Sequence, residues 1–465
     1  MKSRTRQAVK FVLRWGIAVA GIWYVLAYIN LSDRVMVLNP DTSEPQYVKV
    51  LGEPQSTDPT FEAIWFDGST RIVDRSEVWT PPDPSRTTVT LTENGRSQEV
   101  DLLAIQPMTA ERVGTTARQL LVEDPDSGEP RIVQPDQLKG EYVIHVPYPL
   151  IDVGIMRRLR EANPRLLWLA IGVFPVTYLL TGIRWYYLLK PLDIRMSMGR
   201  CMVLNMVGMF YSSFMLGSTG GDLVKAYYAA KQTPNRTRAV MSVLIDRIIG
   251  LLALLMLGGG MALVQYLMAD SSSEAIAQSS LKVALLCGAA LGGTAVALVA
   301  FFNPWIRRHL GLDYILRHLP MQSQVQRAIE VMAIYRQKKA LVLMTLIGTL
   351  PVHITVVVSA MFAGMAFDLP LPPGYYFVAV PVIVLMASIP ISPQGAGVME
   401  FFAIRLTERH GATVAQAFIL SMSIRLVQVL WNLVGGIFVL RGGYQAPSTE
   451  EAAELQAATA EPASA

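Results

Sequence analysis

Cysteine is scarce in this chain of 465 residues, and its two examples, Cys201 and Cys287, both lie in apolar segments. Residues 31–165, the most polar part of the chain, contain none. Disulfides therefore do not hold that region together, although small exported domains often rely on them. Two cysteines placed in this way give no indication of the redox compartment.

Charged residues are also few, at 16% of the chain against about 25% in an average soluble domain. Hydrophobic residues reach 52%, and the mean hydropathy is +0.36. Together these values exclude an ordinary soluble enzyme and predict a membrane protein. The charge is unevenly spread, because residues 31–165 carry 14 Lys and Arg against 22 Asp and Glu, whereas the remainder carries 26 against 14. We expect one acidic aqueous domain inserted into a basic membrane protein.

Motifs of nucleotide, metal and acid–base chemistry are missing as well. No Walker A motif is present, so ATP hydrolysis by this chain is not expected. His145 is the only histidine in residues 31–165, and neither metal-ligand spacing nor a catalytic constellation stands out there. We predict no cofactor, no metal site, no nucleic-acid partner and no enzymatic activity.

Two apolar segments broken by polar, glycine-rich sequence are the most informative features that are present. They read FYSSFMLGSTGGDLVKAYYAAK, over residues 210–231, and LMASIPISPQGAGVMEFFAIR, over residues 385–405. Unpaired backbone polar groups are energetically costly in the lipid interior, so such breaks occur only where they are buried in protein or line a polar cavity. Paired broken helices point to a substrate site in a membrane transporter.

The hydrophobic runs predict six full crossings, each close to the roughly 20 residues that a spanning helix requires. They cover residues 11–29, 166–189, 240–268, 281–302, 340–367 and 412–440. The broken segments are predicted as re-entrant hairpins from opposite faces, with full crossings as the open alternative. Basic residues at 2–10 and 307–339 place both termini in the cytoplasm of a bacterial inner membrane. A cleaved signal peptide is the alternative for 11–29, but no small-residue cleavage site follows it.

The predicted fold class is an α-helical polytopic membrane protein with an inserted small β-rich extracytoplasmic domain. Turn signals at Asp67-Gly68, Asn94-Gly95 and Ser127-Gly128 separate short β-like runs and favour hairpins. The predicted units are an anchor helix (1–30), the acidic β-rich domain (31–165), a membrane domain (166–441) and a disordered cytoplasmic tail (442–465).

Ionisable side chains inside the apolar segments are costly and usually functional. The candidates are Arg184, Asp222, Lys225, Asp246, Arg247, Glu400 and Arg425. Adjacent residues on a helix point about 100° apart, so Asp246 and Arg247 need partners on other helices. Arg184 and Arg425 are the plausible partners of Asp246. The structural alternative is that these charges are ion pairs that lock the bundle.

The two breaks also suggest an anion site. Helices that start near Gly221 and Gly397 would direct free N–H groups and positive dipole ends into the core. With Lys225 and Arg425 they would form a site suited to a lipid phosphate.

The remaining polar residues at the breaks have structural interpretations. Asp222 is predicted as an N-cap of the first helix. Glu400 is predicted either to cap the second helix or to meet a cationic headgroup. Close packing and turns explain the glycines at the breaks, which are Gly220, Gly221, Gly395 and Gly397.

Five strings together resemble the lysylphosphatidylglycerol synthase transmembrane-region family: RWYYLLKPLDIRMSM, GSTGGDLVKAYYAAK, SVLIDRIIGLLALL, IPISPQGAGVMEFF and SIRLVQVLWNLVGG. The resemblance covers residues 166–440 and implies a flippase-like domain in which re-entrant hairpins form a cavity for lipid headgroups. It matches recurrent positions at the charged and glycine residues above, and at Trp185 and Pro393. Two features depart from it, namely Leu216 where a proline usually stands and the large acidic insert. The aminoacyl transfer of fused relatives is not expected, because no soluble domain follows Leu440.

The leading hypothesis is therefore a lipid flippase or scramblase for a phospholipid, an aminoacyl-lipid or a polyprenyl-phosphate carrier. Its expected partners are membrane lipids, through an anionic headgroup or lipid phosphate. The alternative is a non-transport scaffold or sensor of envelope assembly that binds a partner through residues 31–165. An integral-membrane lipid-modifying enzyme ranks last, because no acid–base pair or metal cluster is visible.

Overall fold

The computed structural model describes the chain from residue 31 to residue 451, with gaps. The described ranges are 31–54, 58–82, 88–93, 96–107, 117–125, 127–138, 151–214, 220–269, 274–302, 305, 309, 322–389, 395–442, 444–445, 447 and 451. The predicted anchor at 11–29, the turn at Asn94-Gly95, and the break residues 215–219 and 390–394 lie outside them. Within these ranges a β-rich region precedes a bundle of apolar helices.

The β-rich region forms two antiparallel sheets. The first has the order β4-β3-β2-β1-β9 and the second β5-β6-β7-β8. The strands are β1 (Arg34–Leu38), β2 (Pro45–Val50), β3 (Thr60–Ile64), β4 (Thr70–Asp74), β5 (Thr88–Glu93), β6 (Arg96–Pro107), β7 (Ala117–Glu123), β8 (Pro130–Val133) and β9 (Ile151–Asp152). Buried Met36, Trp79, Ala104 and Leu121 pack together between them, and Trp79 N donates to Met36 O at 2.8 Å.

Two predicted turn signals lie at hairpin turns. Gly68 joins β3 to β4 with a φ of +81°, and Gly128 joins β7 to β8 with a φ of +71°. Positive φ is readily available to glycine because it has no Cβ. The sequence therefore located these strand connections from two dipeptides.

The helical region begins directly after β9. Its helices are α1 (Ile155–Glu161), α2 (Pro164–Val173), α3 (Val176–Leu189), α4 (Met198–Phe214), α5 (Gly220–Ala230), α6 (Arg236–Leu267), α7 (Glu274–Phe302), α8 (Gln322–Gln337), α9 (Lys339–Ile347), α10 (Leu350–Ala366), α11 (Pro373–Ser388), α12 (Val398–Thr407) and α13 (Val414–Leu440). In the described ranges, five apolar stretches are long enough to cross a membrane: Pro164–Leu192, Arg236–Leu267, Ala277–Ala297, Lys339–Ala366 and Val414–Leu440. Only 11% of the Ala277–Ala297 window is buried, as expected of a lipid-facing helix.

Those five stretches correspond to five of the predicted crossings, and two of them are interrupted in a way that was not predicted. The first is interrupted between α2 and α3 at Pro175, which has no amide hydrogen for the helical ladder. The fourth is interrupted at Gly348 and Thr349, just before Pro351 in the first turn of α10. Hydropathy alone does not reveal such interruptions, because the apolar pattern continues through them.

The short helix α1 joins the two regions, although it falls within the range assigned to the β-rich domain. Asp33, which is 5% exposed, accepts a hydrogen bond from Gly154 N at 2.9 Å and pairs with Arg157 Nη1 at 2.8 Å. On its other side, Arg158 Nη1 donates to Phe367 O at 3.4 Å. The β-rich region is thus fixed to the helices by buried polar contacts and not by a free linker.

Parts of the predicted disordered tail are ordered against the first broken segment. Tyr211 donates from its hydroxyl to Tyr444 O at 3.2 Å, and Tyr228 donates to Gln445 O at 3.0 Å. The rings of Tyr228 and Tyr444 lie 5.2 Å apart, and the Tyr227 hydroxyl bonds the Glu451 carboxylate. Aromatic residues just after α13 therefore extend the packed structure beyond residue 441.

We predict that mild acid loosens the turn between α12 and α13. Burial lowers the pKa of His410 from 6.5 to about 4, and its ring stacks on Tyr375 at 3.8 Å. The unfolded chain binds that proton more readily, so stability present above pH 6.5 is lost as the pH falls toward 4. Thermal unfolding in detergent is measured at about pH 7.5 and at about pH 5, on either side of the ordinary histidine pKa. The unfolding midpoint should change less between these two pH values in His410→Phe than in the wild type. Equal pH effects in both proteins would contradict the assignment.

Candidate functional site

The first broken segment forms a hairpin of α4 and α5 whose arms touch at backbone level. Arg200 Nη1 donates to Gln232 Oε1 at 3.3 Å near the open end. Near the break, a Cβ on Gly221 would overlap the carbonyl oxygen of Gly208 and the hydroxyl of Ser212. Only glycine allows the two helices to approach this closely.

The second broken segment forms a hairpin of α11 and α12. At its open end the Tyr375 hydroxyl donates to Leu406 O at 2.8 Å. At the break, Gly395 has a φ of +68° and a Cβ there would lie 2.6 Å from that of Ala387. Gly397, with a φ of +82°, precedes the first residue of α12. The predicted roles of both glycines in a turn and in close packing agree with this geometry.

The two hairpins open toward opposite ends of α6. The first opens beside the N-terminal end, since α5 ends at Ala230 and α6 begins at Arg236. The second opens beside the C-terminal end, where Gly374 lies against Gln265. α6 has 32 residues and is therefore about 48 Å long. The second half of α11 and the first turn of α5 consequently lie against the middle of α6, as Pro381 against Gly258 and Asp222 against Arg247 show.

A cavity of about 250 Å³ is lined by residues of both hairpins. The first hairpin contributes Gly208, Ser212, Asp222 and Lys225, and the second contributes Val384 and Ser388. Other walls come from α3, α6, α10 and α13, with Tyr178, Arg184, Asp246, Arg247, His353, Ile424 and Gln428 among the lining residues. The cavity is thus enclosed by both hairpins and by the spanning helices.

Three buried charges form the inner end of the cavity. Arg184 Nε lies 2.7 Å from Asp246 Oδ1, and Lys225 Nζ lies 3.3 Å from Asp246 Oδ2. Lys225 also donates to Asn205 Oδ1 at 3.3 Å, and Arg184 Nη1 donates to Thr349 Oγ1 at 3.3 Å. Asp246 therefore connects α3, α5 and α6, and the interruption before α10 places Thr349 beside the same cluster. Of the two partners predicted for Asp246, Arg184 is correct.

A second ion pair lies at a more exposed part of the cavity. Arg247 Nε and Asp222 Oδ2 are 2.6 Å apart, and the side chains are 42% and 22% exposed. Asp246 and Arg247 thus each have partners on helices other than α6, as predicted: Asp246 pairs with residues of α3 and α5, and Arg247 pairs with a residue of α5. Asp222 is not an N-cap, because α5 already begins at Gly220 and Asp222 lies in its first turn.

The cavity carries an excess of positive charge. Its described lining contains Arg184, Lys225 and Arg247 against Asp222 and Asp246. Charges inside a protein are stable only when paired or solvated. A lining with three cations and two carboxylates has a net charge of +1 and favours an anionic ligand.

Glu400 and Arg425 form a separate pair, which corrects the prediction that Arg425 joins Lys225 or Asp246. Arg425 Nη1 lies 2.7 Å from Glu400 Oε1, and Glu400 Oε2 accepts from Gly397 N at 2.7 Å. Glu400 is 1% exposed, so its carboxylate both caps α12 and neutralises Arg425. In the part of the chain described, Ile424 and Gln428 of α13 line the cavity, whereas Arg425 and Glu400 do not.

Several polar residues of the cavity were missed because they carry no charge. Tyr178, Asn205 and Ser212 all lie in apolar helices, and that placement is the signal that could have identified them. His353 was predicted as a satisfied core histidine, and its Nε2 lies 2.9 Å from Gly250 O. Its ring nevertheless lines the cavity as well.

Spanning helices and two helical hairpins around a charged cavity define a polytopic membrane protein, and the family match identifies it as one of the flippase-like kind. Residues 153–436 match the model of the family described as the lysylphosphatidylglycerol synthase TM region. The chain belongs to this family, and the resemblance seen in the sequence is confirmed. The match begins at residue 153, so it includes α1 and leaves out the β-rich region. No curated protein matches the chain.

We predict that Gly221→Ala disrupts the first hairpin. The added methyl has no room against Gly208 O and Ser212 Oγ, so the arms must separate. Gly260→Ala is the matched control, because a Cβ there meets nothing within 4 Å. Thermal unfolding in detergent should show a lower midpoint for Gly221→Ala and little change for Gly260→Ala. Equal midpoints in the two variants would contradict the close approach.

We also predict that Asp246 and Arg184 are energetically coupled. Asp246→Asn leaves two buried cations without a counter-charge, and breaking such a pair costs about 3–5 kcal/mol. The double variant Arg184→Gln/Asp246→Asn removes one charge of each sign, so part of that loss should be recovered. A double-mutant cycle of unfolding in detergent measures this coupling. Purely additive losses would exclude it.

Proposed function

We propose that this protein moves a phosphate-containing lipid between the two leaflets of a membrane, and that it is a transporter and not an enzyme. The supporting observation is the net positive cavity at which both broken hairpins meet. A phospholipid, an aminoacyl-lipid and a polyprenyl-phosphate carrier all present the phosphate that this proposal requires.

The charges of the cavity support a phosphate ligand in particular. Phosphate oxygens form short, strong bonds with guanidinium and ammonium groups. Arg184 and Lys225 are 8% and 5% exposed, so the ligand must reach them through the cavity and not from bulk water. Arg247, at the more exposed pair, is placed to meet the phosphate first.

The size of the cavity supports partial entry of the lipid. Its volume of about 250 Å³ lies below the roughly 300–1,000 Å³ of sites that enclose drug-sized ligands. A headgroup is therefore accommodated while the acyl or prenyl chains stay in the bilayer.

The proposed topology follows from the two hairpins. Their openings at opposite ends of α6 support re-entry from opposite faces of a bacterial inner membrane. Basic residues near the start of the chain and before α9 support cytoplasmic termini, with the β-rich region outside.

Lipid translocation in proteoliposomes tests the proposal. Vesicles with fluorescent phospholipids of several headgroups, and with a polyprenyl phosphate, should equilibrate faster with protein than without it. Arg247→Gln should slow this by tenfold or more, because about 1.4 kcal/mol corresponds to tenfold and a bond to a charged group is worth about 1.5–3 kcal/mol. Arg405→Gln is the matched control, since Arg405 also pairs with a carboxylate, at 3.3 Å, but lies outside the cavity lining.

Two results would overturn the proposal in different ways. If Arg247→Gln moved lipids at the wild-type rate, the cavity would not be part of the translocation path. If monodisperse wild-type protein moved none of these lipids, lipid transport would be excluded. The non-transport role of the β-rich region would then be the proposed function.

A further inference from the structure

A second cavity lies between the β-rich region and the helices, at the end of α12 and the start of α13. Its volume is about 190 Å³. One wall comes from β1, β2 and β9, through Arg34, Tyr47 and Asp152. The other comes from α12 and the turn before α13, through Glu408 and Thr413. Ligand sites form preferentially at such boundaries between two folded units. We refer to this space as the seam cavity.

The charged groups of the seam cavity are balanced. Arg34 Nε lies 2.9 Å from Asp152 Oδ2, and the Arg34 guanidinium lies 4.1 Å from the ring centroid of Tyr47. Glu408 Oε1 lies 3.3 Å from Nη1 of Arg405. Each carboxylate of the lining thus has an arginine partner, although Arg405 itself lies outside the lining, whereas the lining of the membrane cavity has one more cation than carboxylates. An ionic ligand would have to disrupt these pairs, whereas a neutral polar ligand can hydrogen-bond to them as they are.

The lining combines these polar groups with an apolar wall. Met36 and Trp79 contribute from the β-rich region, and Ile404 and Val414 from the helices. A sugar ring has a C–H face that packs on apolar and aromatic groups and an edge of hydroxyls that both donate and accept. Ion-paired carboxylates still accept hydrogen bonds, and Arg34, Tyr47 and Thr413 can donate them.

We propose that the seam cavity binds a neutral sugar ring, either as a free glycoside or as the headgroup of a glycosylated lipid. The volume suits one ring and not an oligosaccharide, because it lies below the roughly 300 Å³ at which drug-sized sites begin. The proposal does not rest on lipid translocation, because the site lies apart from the membrane cavity and binding is measured by itself.

The test uses the full chain in phosphatidylcholine nanodiscs. Calorimetric titration with methyl glycosides of glucose, galactose, mannose and N-acetylglucosamine measures the free sugars. Native mass spectrometry compares retention of monoglycosyl diacylglycerol with that of the same lipid without sugar. Binding of a methyl glycoside identifies a site for free sugar, and selective retention of the glycolipid alone identifies a headgroup site. Either result supports the proposal.

Two variants locate the binding, each with a matched control. Tyr47→Ala and Glu408→Gln should weaken it tenfold or more. Phe66→Ala and Glu62→Gln, which change exposed residues outside the lining, should leave it unchanged. Thermal unfolding verifies that each variant is folded. If Tyr47→Ala does not fold, Glu408→Gln still tests the proposal.

Three results would overturn the proposal. They are no binding of any glycoside or glycolipid, binding that neither Tyr47→Ala nor Glu408→Gln alters, and preferential binding of choline or methyl phosphate over every sugar.

Discussion

The shared carboxylate of Asp246 is the interaction on which the helical region depends. It is 4% exposed and pairs with both Arg184 and Lys225, which come from two different helices that precede α6 in the sequence. A buried carboxylate is tolerated only when the attraction of its partners offsets its lost hydration. The same contacts that hold α3 and α5 against α6 therefore also position the cations of the cavity, and stability and ligand chemistry share one set of atoms.

Much of this organisation could be read from the sequence, because the signals are local. Apolar length located five spanning stretches, and glycine-rich interruptions located both hairpins. The pairing of Arg184 with Asp246 was anticipated from the cost of burying charge. The pairing of Arg425 with Glu400 was not, since it depends on how α12 turns back against α13, which neither spacing nor hydropathy encodes. No local signal in the sequence indicated the seam cavity, because its two walls come from distant parts of the chain, as Arg34 and Thr413 illustrate.

The structure thus holds two cavities of different electrostatic character. The lining of the membrane cavity has one more cation than carboxylates, whereas each carboxylate of the seam cavity is paired with an arginine. Among the described residues, α12 lines only the seam cavity: it begins after Gly397, beside the second break, and it ends next to Glu408 in the wall of the seam cavity. The buried contacts of α1 with Asp33 keep the β-rich region in position over this helix.

The close approach of Gly221 to Gly208 restricts how the membrane cavity can change shape. Two helices in contact through their backbones have no side-chain layer between them that could repack, so their arms cannot slide past each other. A movement of the first hairpin that widens the cavity must then carry α4 and α5 together. The two helices act mechanically as one unit, and the wall that they form moves as a whole.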